Sequence, residues 1–478
     1  MRHFPRLLSL FRNILILGFA QAATTYADTR PNILFLIADD QSWHSAGFAG
    51  DPLVQTPNLD RLAAESTVFT HASVTTSICM VSRATMLTGR WLSQMGAARV
   101  TPETWPNTWP AQLRASGYYG GHIGKVHVKG HTQDGYDFWE GRNGPYAWMK
   151  TSSGERIHTI EKDTNDAIRF LETRPKDQPF FLQVAYTVPH AEDGDPHQYL
   201  PMPQDESIYA SETILAPATA TEQHYQRLPD FLQRTSNESR RRWLKRFDTP
   251  EKVQTFTKNY FRLITGMDRS IGAILKELKN QGLDENTLIV FTSDNGYFLG
   301  EHGLADKWYA YEESLRVPLI VHAPKHPQEM QGIRRDELVL NVDFAPTFCS
   351  IAGIAPPSVM QGRSFLPLLT TNSATDWRQD FLYQFTWSQN DIPGAEAVCS
   401  KDWKYIRWIE GNTEELFDLR ADPREERNLA PDPTFSGQLQ KLRDRLQSLQ
   451  KEVGGTPVAE LQNQPFGEPA TAKGAKAH

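Results

Sequence analysis

Ile33-Leu-Phe-Leu-Ile-Ala38-Asp39-Asp40 is an unbroken apolar run that ends abruptly in two carboxylates. No polar alternation marks a solvated face, so the run predicts a strand buried on both faces, at the centre of a parallel sheet. Similar runs recur at Phe180–Ala185, Leu288–Thr292 and Val317–Val321. Between them, apolar residues fall at helical spacing from Asp163 to Leu171 and from Phe261 to Leu278. Thr56-Pro57 predicts a further helix start, with the hydroxyl as cap, proline at the first helical position and Leu59, Leu62 and Ala63 on the buried side. Strands alternating with helices predict an α/β fold, a large, mostly parallel or mixed sheet sandwiched by helices.

Outward from this frame the texture changes twice. The polar, proline-bearing segment from Ala191 to Pro250 reads as a long excursion over one face of the sheet. Inside it, Arg240-Arg-Arg-Trp-Leu-Lys-Arg246 reads as a solvated helix face in preference to a groove for a polyanionic sugar. From Asp376 onward come short aromatic-rich strands, Phe381–Trp387, Glu396–Cys399 and Lys404–Trp408, then the turn Asp418–Pro423 and a helix near Gly437–Val453. They predict a smaller C-terminal subdomain, an antiparallel sheet with one helix. The expected division is a leader over 1–27, a main domain over 28–375, the subdomain over 376–460 and a loose tail over 461–478.

The leader rests on Arg2, Arg6 and Arg12, the apolar run Ile14–Ala20, and small residues at Ala20, Ala22 and Ala27. This is the layout of a secretory signal peptide, too short to span a bilayer, so an exported protein, periplasmic or secreted and without a stable membrane anchor, is expected. The net charge of -7 offers no basic surface for nucleic acid, and an anionic substrate would need a local cluster of cations. Three cysteines, Cys79, Cys349 and Cys399, leave at least one thiol unpaired. Cys349 sits in the apolar stretch Phe344–Ile354 and reads as a buried thiol or as a partner for Cys399.

In open α/β sheets, ligands gather beyond the carboxyl ends of the strands. Asp39-Asp40 lies at one such end and Ser293-Asp294-Asn295-Gly296 at another. Three carboxylates and an amide make an oxygen-only set that suits Ca²⁺ or Mg²⁺ better than zinc. Cys79 precedes a stretch that predicts a helix opened near Ser82 and stopped at Gly89. Unpaired N–H groups and the dipole at such a start favour an anion, and Arg83 adds a charge-assisted donor one turn on.

Cys79-Met-Val-Ser82-Arg83-Ala-Thr-Met-Leu-Thr-Gly89 resembles the signature of the type I, formylglycine-dependent sulfatases of the alkaline phosphatase superfamily. The similarity continues through Pro31–Asp40, Gly117-Tyr118, Gly124-Lys-Val-His127, Pro179–Leu182, Pro189-His190, Ser293–Gly296, Gly300–Leu304, Lys307 and the closing Leu416-Phe-Asp-Leu, Asp422-Pro423 and Asn428-Leu-Ala430. The resemblance implies that residues 28–375 form a sulfatase catalytic domain. It also implies that a maturation enzyme converts Cys79 to Cα-formylglycine, whose hydrate attacks sulfur through one oxygen and expels sulfate by deprotonating the other. It assigns Asp39, Asp40, Asp294 and Asn295, with the modified Cys79, to a divalent cation, Ca²⁺ in preference to Mg²⁺. Lys125 and Lys307 would clamp the sulfate, and Arg83 would stand beside the formylglycine. His127 would take the second diol proton and His190, also at the substrate, would protonate the leaving alcohol. Val81 and Val126 depart from the proline and tryptophan usual at their positions. The implied substrate is a sulfate ester on a carbohydrate, a polysaccharide or its oligosaccharides; the alternatives are a phosphodiesterase or phosphonate monoester hydrolase of the same superfamily, or a silent binder of sulfated glycans.

Overall fold

The computed structural model describes residues 30–96, 98–324, 330–370, 376–386 and 391–461. The leader expected at 1–27, Trp387 and all of the expected tail except Leu461 lie outside the described residues.

The main sheet is built from β1 (Asn32–Asp39), β2 (Thr67–Phe69), β3 (Tyr119–Lys125), β4 (Phe138–Arg142), β5 (Phe180–Pro189), β6 (Thr287–Ser293), β7 (Leu319–His322) and β8 (Arg334–Arg335). Their order across the sheet is β8-β2-β7-β6-β1-β5-β3-β4, with β1 central as its sequence predicts. Only β7 runs against its neighbours, so the sheet is mixed but largely parallel. The expected strand Val317–Val321 starts instead at Leu319, after Pro318, which has no N–H to give to a ladder.

Side chains of β1 divide between two cores. Leu34, Leu36 and Ala38 pack towards α1 (Pro57–Ala64), α4 (Thr159–Thr173) and α6 (Pro250–Asn280). Ile33, Phe35 and Ile37 pack towards α2 (Cys79–Thr88), α3 (Trp109–Ala115) and α7 (Phe344–Ile351). This two-sided burial is the reason the run carries no polar alternation. Helix α1 starts at Pro57 as predicted, but Thr56 does not cap it. Its hydroxyl instead donates to Asp60 Oδ1 and accepts from the Gly47 N–H, both at 2.9 Å. The first N–H groups of α1 go to Asp268 of α6, Leu59 N to Oδ1 at 2.7 Å and Asn58 N to Oδ2 at 3.1 Å.

The excursion from Ala191 carries more buried structure than its polar composition suggests: Tyr199, Met202, Tyr209 and Phe231 are buried. It includes α5 (Glu238–Arg246), and α6 begins at Pro250, well before Phe261, because Thr249 accepts from the Lys252 N–H and Pro250 occupies the first turn. The solvated-face expectation for Arg240–Arg246 holds at Arg241, Leu244 and Lys245 but not at the other basic residues. Arg242 bonds Asp306 Oδ2 at 2.7 Å, buried Arg246 bonds Asp306 Oδ2 at 3.0 Å and the Tyr297 hydroxyl at 2.7 Å, and Arg240 lies 3.6 Å over the Tyr225 ring. These cations are spent on internal partners, which also excludes them from a polyanion groove.

The C-terminal sheet is an antiparallel meander of β9 (Asp380–Phe385), β10 (Ala395–Ser400), β11 (Trp403–Trp408) and β12 (Glu414–Asp418), covered by α8 (Ser436–Val453). Strand β12 has no counterpart among the strands its sequence predicts. This sheet braces the main one: the Tyr383 hydroxyl bonds the Trp308 carbonyl at 2.6 Å and Ser77 Oγ at 2.7 Å, and Trp91 Nε1 donates to the Leu382 carbonyl at 2.9 Å. Among the described residues no helix is long and apolar enough to cross a membrane. Cys79, Cys349 and Cys399 are all buried and free, so Cys349 and Cys399 do not pair.

Candidate active site

Register places the expected residues at one edge. Ala38 of β1 pairs with Ser293 of β6, Asp39 with Pro189 of β5, and Gly124 of β3 with Ala185 of β5. The carboxyl ends of four adjacent strands therefore deliver Asp39-Asp40, Lys125, His190 and Asp294-Asn295 to the same place. Gly124 is needed there: its φ is +89°, and a Cβ would lie 2.1 Å from the Ala185 carbonyl oxygen. Asp40 and His127 also hold positive φ, 66° and 46°, as the chain turns out of β1 and β3.

Helix α2 begins at Cys79, with extended Ile78 before it, and not near Ser82. The Ser82 N–H already donates to the Ile78 carbonyl at 2.9 Å, and Ser82 Oγ accepts from Asn341 at 2.8 Å. Cys79 is thus the first residue of the helix, facing the site with the unpaired N–H groups of the first turn. Gly89, in the left-handed region, ends the helix as predicted.

Around this start the charges interlock. Arg83 Nε donates to Asp294 Oδ2 at 2.7 Å, and its NH1 to the Lys125 carbonyl at 3.2 Å. Lys125 pairs with Asp39, and Lys307 with both oxygens of Asp40 at 2.7 and 2.6 Å. Asn295 Nδ2 donates to Asp40 Oδ1 at 2.8 Å, and the Asp40 N–H to Asp294 Oδ1 at 3.2 Å. Cys79 Sγ lies 3.2 Å from His127 Nδ1. His190 Nδ1 donates to the Ala191 carbonyl at 2.6 Å, which turns Nε2 to Asp40 Oδ2, 3.5 Å away. All ten residues expected at the site, Asp39, Asp40, Cys79, Arg83, Lys125, His127, His190, Asp294, Asn295 and Lys307, gather here, and all but His127 are buried.

Burial raises the carboxyl groups of Asp39 and Asp40, and each is raised further by the neighbouring Asp294; Lys125 and Lys307 only partly oppose this. For Asp294 burial acts in the same sense, but Arg83, Lys125 and Lys307 together hold it below its ordinary value. His127 is pushed down to about 3 by burial and by Lys125, Arg83 and Lys307, so its imidazole is neutral. Burial, Lys307 and Lys125 likewise depress His190. Lys125 and Lys307 are raised despite burial, by the carboxylates they pair with.

The donor set passes a physical test for a hard cation. Asp39 Oδ1 and Asn295 Oδ1 are buried without a hydrogen-bond partner, although three cations stand nearby. One atom each of Asp39, Cys79 and Asp294 lies within 4.8 Å of the others, as does one each of Asp39, Asp40 and His190. Buried acceptors left bare beside such clusters fit an oxygen-ligated divalent ion.

Two neighbours escaped the sequence reading. Tyr146 stacks on His190 with ring centroids 4.4 Å apart, and Asn143 Oδ1 accepts the His127 N–H at 2.8 Å. Both lie in Arg142-Asn-Gly-Pro-Tyr146, which carries only turn signals.

Residues 31–354 match the family described as Sulfatase, and residues 300–452 match N-sulphoglucosamine sulphohydrolase, C-terminal. The N-acetylglucosamine-6-O-sulfatase of Bacteroides thetaiotaomicron is 29% identical over 88% of this chain and 87% of its own. A solved structure of a protein in complex with its substrate D-glucosamine-2-N,6-O-disulfate superposes with a TM-score of 0.74 at 26% identity, covering 92% of this chain and 100% of that one. The phosphonate monoester hydrolase of Agrobacterium radiobacter shares the fold, with a TM-score of 0.74 at 20% identity over 89% and 96% of the two chains. The Sulfatase match runs from the first strand of the sheet past α7 and takes in every residue of the charged edge, so this chain belongs to the type I sulfatases of the alkaline phosphatase superfamily and is a sulfuric ester hydrolase.

Proposed function

We propose that the protein hydrolyses sulfate esters on a carbohydrate, a sulfated polysaccharide or oligosaccharides from it, and releases inorganic sulfate. The observation that carries this reading is the approach of His127 to Cys79 Sγ, at 3.2 Å, inside a ring of buried cations and carboxylates. The glucosamine sulfates named for two of its relatives support a sugar as the carrier of the ester. The leader motif supports export, to the periplasm or beyond, where such polymers are met.

In this reading a maturation enzyme converts Cys79 to formylglycine, and Sγ stands in for the oxygens of its hydrate. Formylglycine supplies a nucleophilic hydroxyl together with a second one through which sulfate is expelled. Asp39, Asp40, Asp294 and Asn295, with the modified Cys79, would hold a divalent cation, Ca²⁺ in preference to Mg²⁺, which would supply Lewis-acid activation of the nucleophile and offset charge on the sulfate.

The chain's own groups do the rest. Lys125 and Lys307 grip sulfate oxygens with ammonium groups already held by Asp39 and Asp40, so they need no reorganisation when charge builds up. Arg83, fixed between Asp294 and the Lys125 carbonyl, directs its unpartnered NH2 charge to the same region. His127, its imidazole neutral, accepts the proton whose removal releases sulfate. His190 gives a proton to the leaving sugar oxygen from Nε2, since Nδ1 is engaged by the Ala191 carbonyl. Burial first and then the two lysines depress His190, and an anionic sulfate ester beside it opposes the lysines, which favours the protonated acid.

The test is a screen of defined sulfated sugars for released sulfate, run beside matched phosphate diesters and phosphonate monoesters. Sulfate release with the higher kcat/KM is expected. A preference for the phosphorus esters would turn the assignment towards the phosphonate hydrolases that share the fold. Intact-mass measurement must also show residue 79 lighter than cysteine by the exchange of a thiol for an aldehyde; a wholly unmodified active enzyme would remove the nucleophile from this reading.

A further inference from the structure

We infer that Tyr146 is a positioning residue for His190, whose ring plane it sets for proton delivery to the leaving sugar oxygen. The inference rests on the role proposed above for His190. Among the described residues the imidazole has one short polar contact, from Nδ1 to the Ala191 carbonyl at 2.6 Å, with Nε2 3.5 Å from Asp40. A single hydrogen bond fixes the position of one nitrogen and leaves the ring free to swing about that axis. The phenol ring of Tyr146 removes this freedom, lying nearly parallel to the imidazole at an interplanar angle of 14° and a centroid distance of 4.4 Å. The same ring lies 5.1 Å from Lys125 Nζ, so it sits against the acid and one of the sulfate-gripping lysines together.

Tyr146 is held in register with the segment that carries His190. Its N–H donates to Glu192 Oε2 at 3.1 Å, and its carbonyl accepts from Thr187 Oγ1 at 2.7 Å and Thr159 Oγ1 at 3.0 Å. Thr187 and Glu192 flank His190 in the chain, on either side of the end of β5. The loop that brings Tyr146 is therefore stitched to the strand end on both sides of the imidazole it stacks on. No hydroxyl contact enters the argument; the aromatic face is what is needed.

The step it serves breaks the S–O bond towards the sugar, and the departing oxygen takes its proton from His190 Nε2. General acid help of this kind is typically worth about 10²–10⁴-fold and matters most when the leaving alcohol is a poor one. A sugar alcohol is poor; a nitrophenol leaves readily without a proton. The experiment compares kcat on a sugar sulfate and on a nitrophenyl sulfate for wild type, Tyr146→Ala, Tyr146→Phe and His190→Ala, each checked by thermal unfolding. Tyr146→Ala should lose roughly tenfold or more on the sugar sulfate, a part of the acid's contribution, and far less on the nitrophenyl ester. Tyr146→Phe should recover most of that loss. Equal losses on both esters for Tyr146→Ala, or no recovery with Phe, overturn the inference. If His190→Ala itself fails to discriminate between the esters, the acid has been misassigned and the underlying reading of His190 falls. If His190→Ala discriminates and Tyr146→Ala does not, only the positioning role falls.

Discussion

Two of the buried ionic clusters among the described residues are built differently. One is the carboxyl edge of the main sheet. The other lies at the seam with the C-terminal sheet, where Lys404 Nζ meets Glu312 Oε1 at 2.8 Å and Glu425 Oε1 at 2.6 Å. At the seam the surplus acid is absorbed locally. Glu425 Oε2 accepts the Glu312 N–H at 2.7 Å, and Glu415 accepts from the Tyr311 hydroxyl at 2.9 Å and Trp408 Nε1 at 2.8 Å. Burial lifts Glu425 to about 8 and Glu415 to about 7, so protons complete the charge balance there. At the sheet edge the three cations are all engaged, yet acceptor oxygens of Asp39 and Asn295 stay bare. The seam cluster is closed by its own protons, while the sheet-edge cluster is shaped for something brought from outside. Buried charge alone marks neither function nor structure, and nor does a missing hydrogen bond: Glu425 Oε1 at the seam also lacks one, but it lies 2.6 Å from Lys404 Nζ in an ion pair.

The sharpest way to break this contrast is to remove one group from each cluster. Cys79→Ala should abolish turnover, by about 10⁴-fold or more, while leaving the unfolding midpoint nearly unchanged. Lys404→Met should do the reverse: it strands the buried Glu312 carboxylate and takes away the partner of Glu425, costing about 3–5 kcal/mol of stability in urea unfolding, with kcat/KM per folded molecule close to wild type. A Lys404 variant that folds fully and loses activity would show that the seam belongs to the site.

The second test uses the cation. A ligand that binds only the native state stabilises by about 2.7 kcal/mol at a hundred times its Kd. Added Ca²⁺ should therefore raise the unfolding midpoint of chelator-treated protein, and Asp40→Asn should diminish the rise. Lys404→Met should keep it in full, from a lower baseline. Equal Ca²⁺ responses in wild type and Asp40→Asn would place the ion elsewhere.

How far sequence reached follows from the range of the interactions involved. The strand β1 was legible because two-sided burial imprints itself on consecutive residues, and Asp39-Asp40 and Asp294-Asn295 were legible as its end and that of β6. The helix start at Cys79 was hidden, since Ser82 is the better capping residue by type and its hydroxyl is taken by Asn341, far along the chain. Thr56 misled in the same way, because Asp268 of α6 supplies the cap of α1. The basic run of α5 read as solvated because Asp306, the carboxylate that buries Arg242 and Arg246, is distant in sequence. Tyr146 left no local pattern at all; its meaning lies in a stack on a residue from another strand. What sequence misses here is the remote partner of a polar group, and both clusters are made of such partners.

The smallest effect separates the clusters by proton linkage. Glu425 in the unfolded chain ionises near its ordinary value of 4.5, but in the folded protein it keeps its proton to about 8, and Glu415 to about 7. Between these limits the folded state binds more protons, so each group makes stability fall as pH rises. His302 adds in the same direction: burial pulls it down, but Glu313 more than compensates, and the stability from that raised value is present below its ordinary 6.5 and lost above the folded one. With Ca²⁺ saturating, so that the sheet-edge carboxylates stay ionised, these groups should contribute a falling slope to the unfolding midpoint between about pH 5 and pH 8, set against the rise contributed by histidines that burial depresses, His127, His131 and His158 among them. Glu425→Gln, which mimics the protonated acid, should flatten that slope without touching the Ca²⁺ response. A slope unchanged in Glu425→Gln would mean that the seam does not carry the protons, and the division between a proton-closed and a cation-closed cluster would fail.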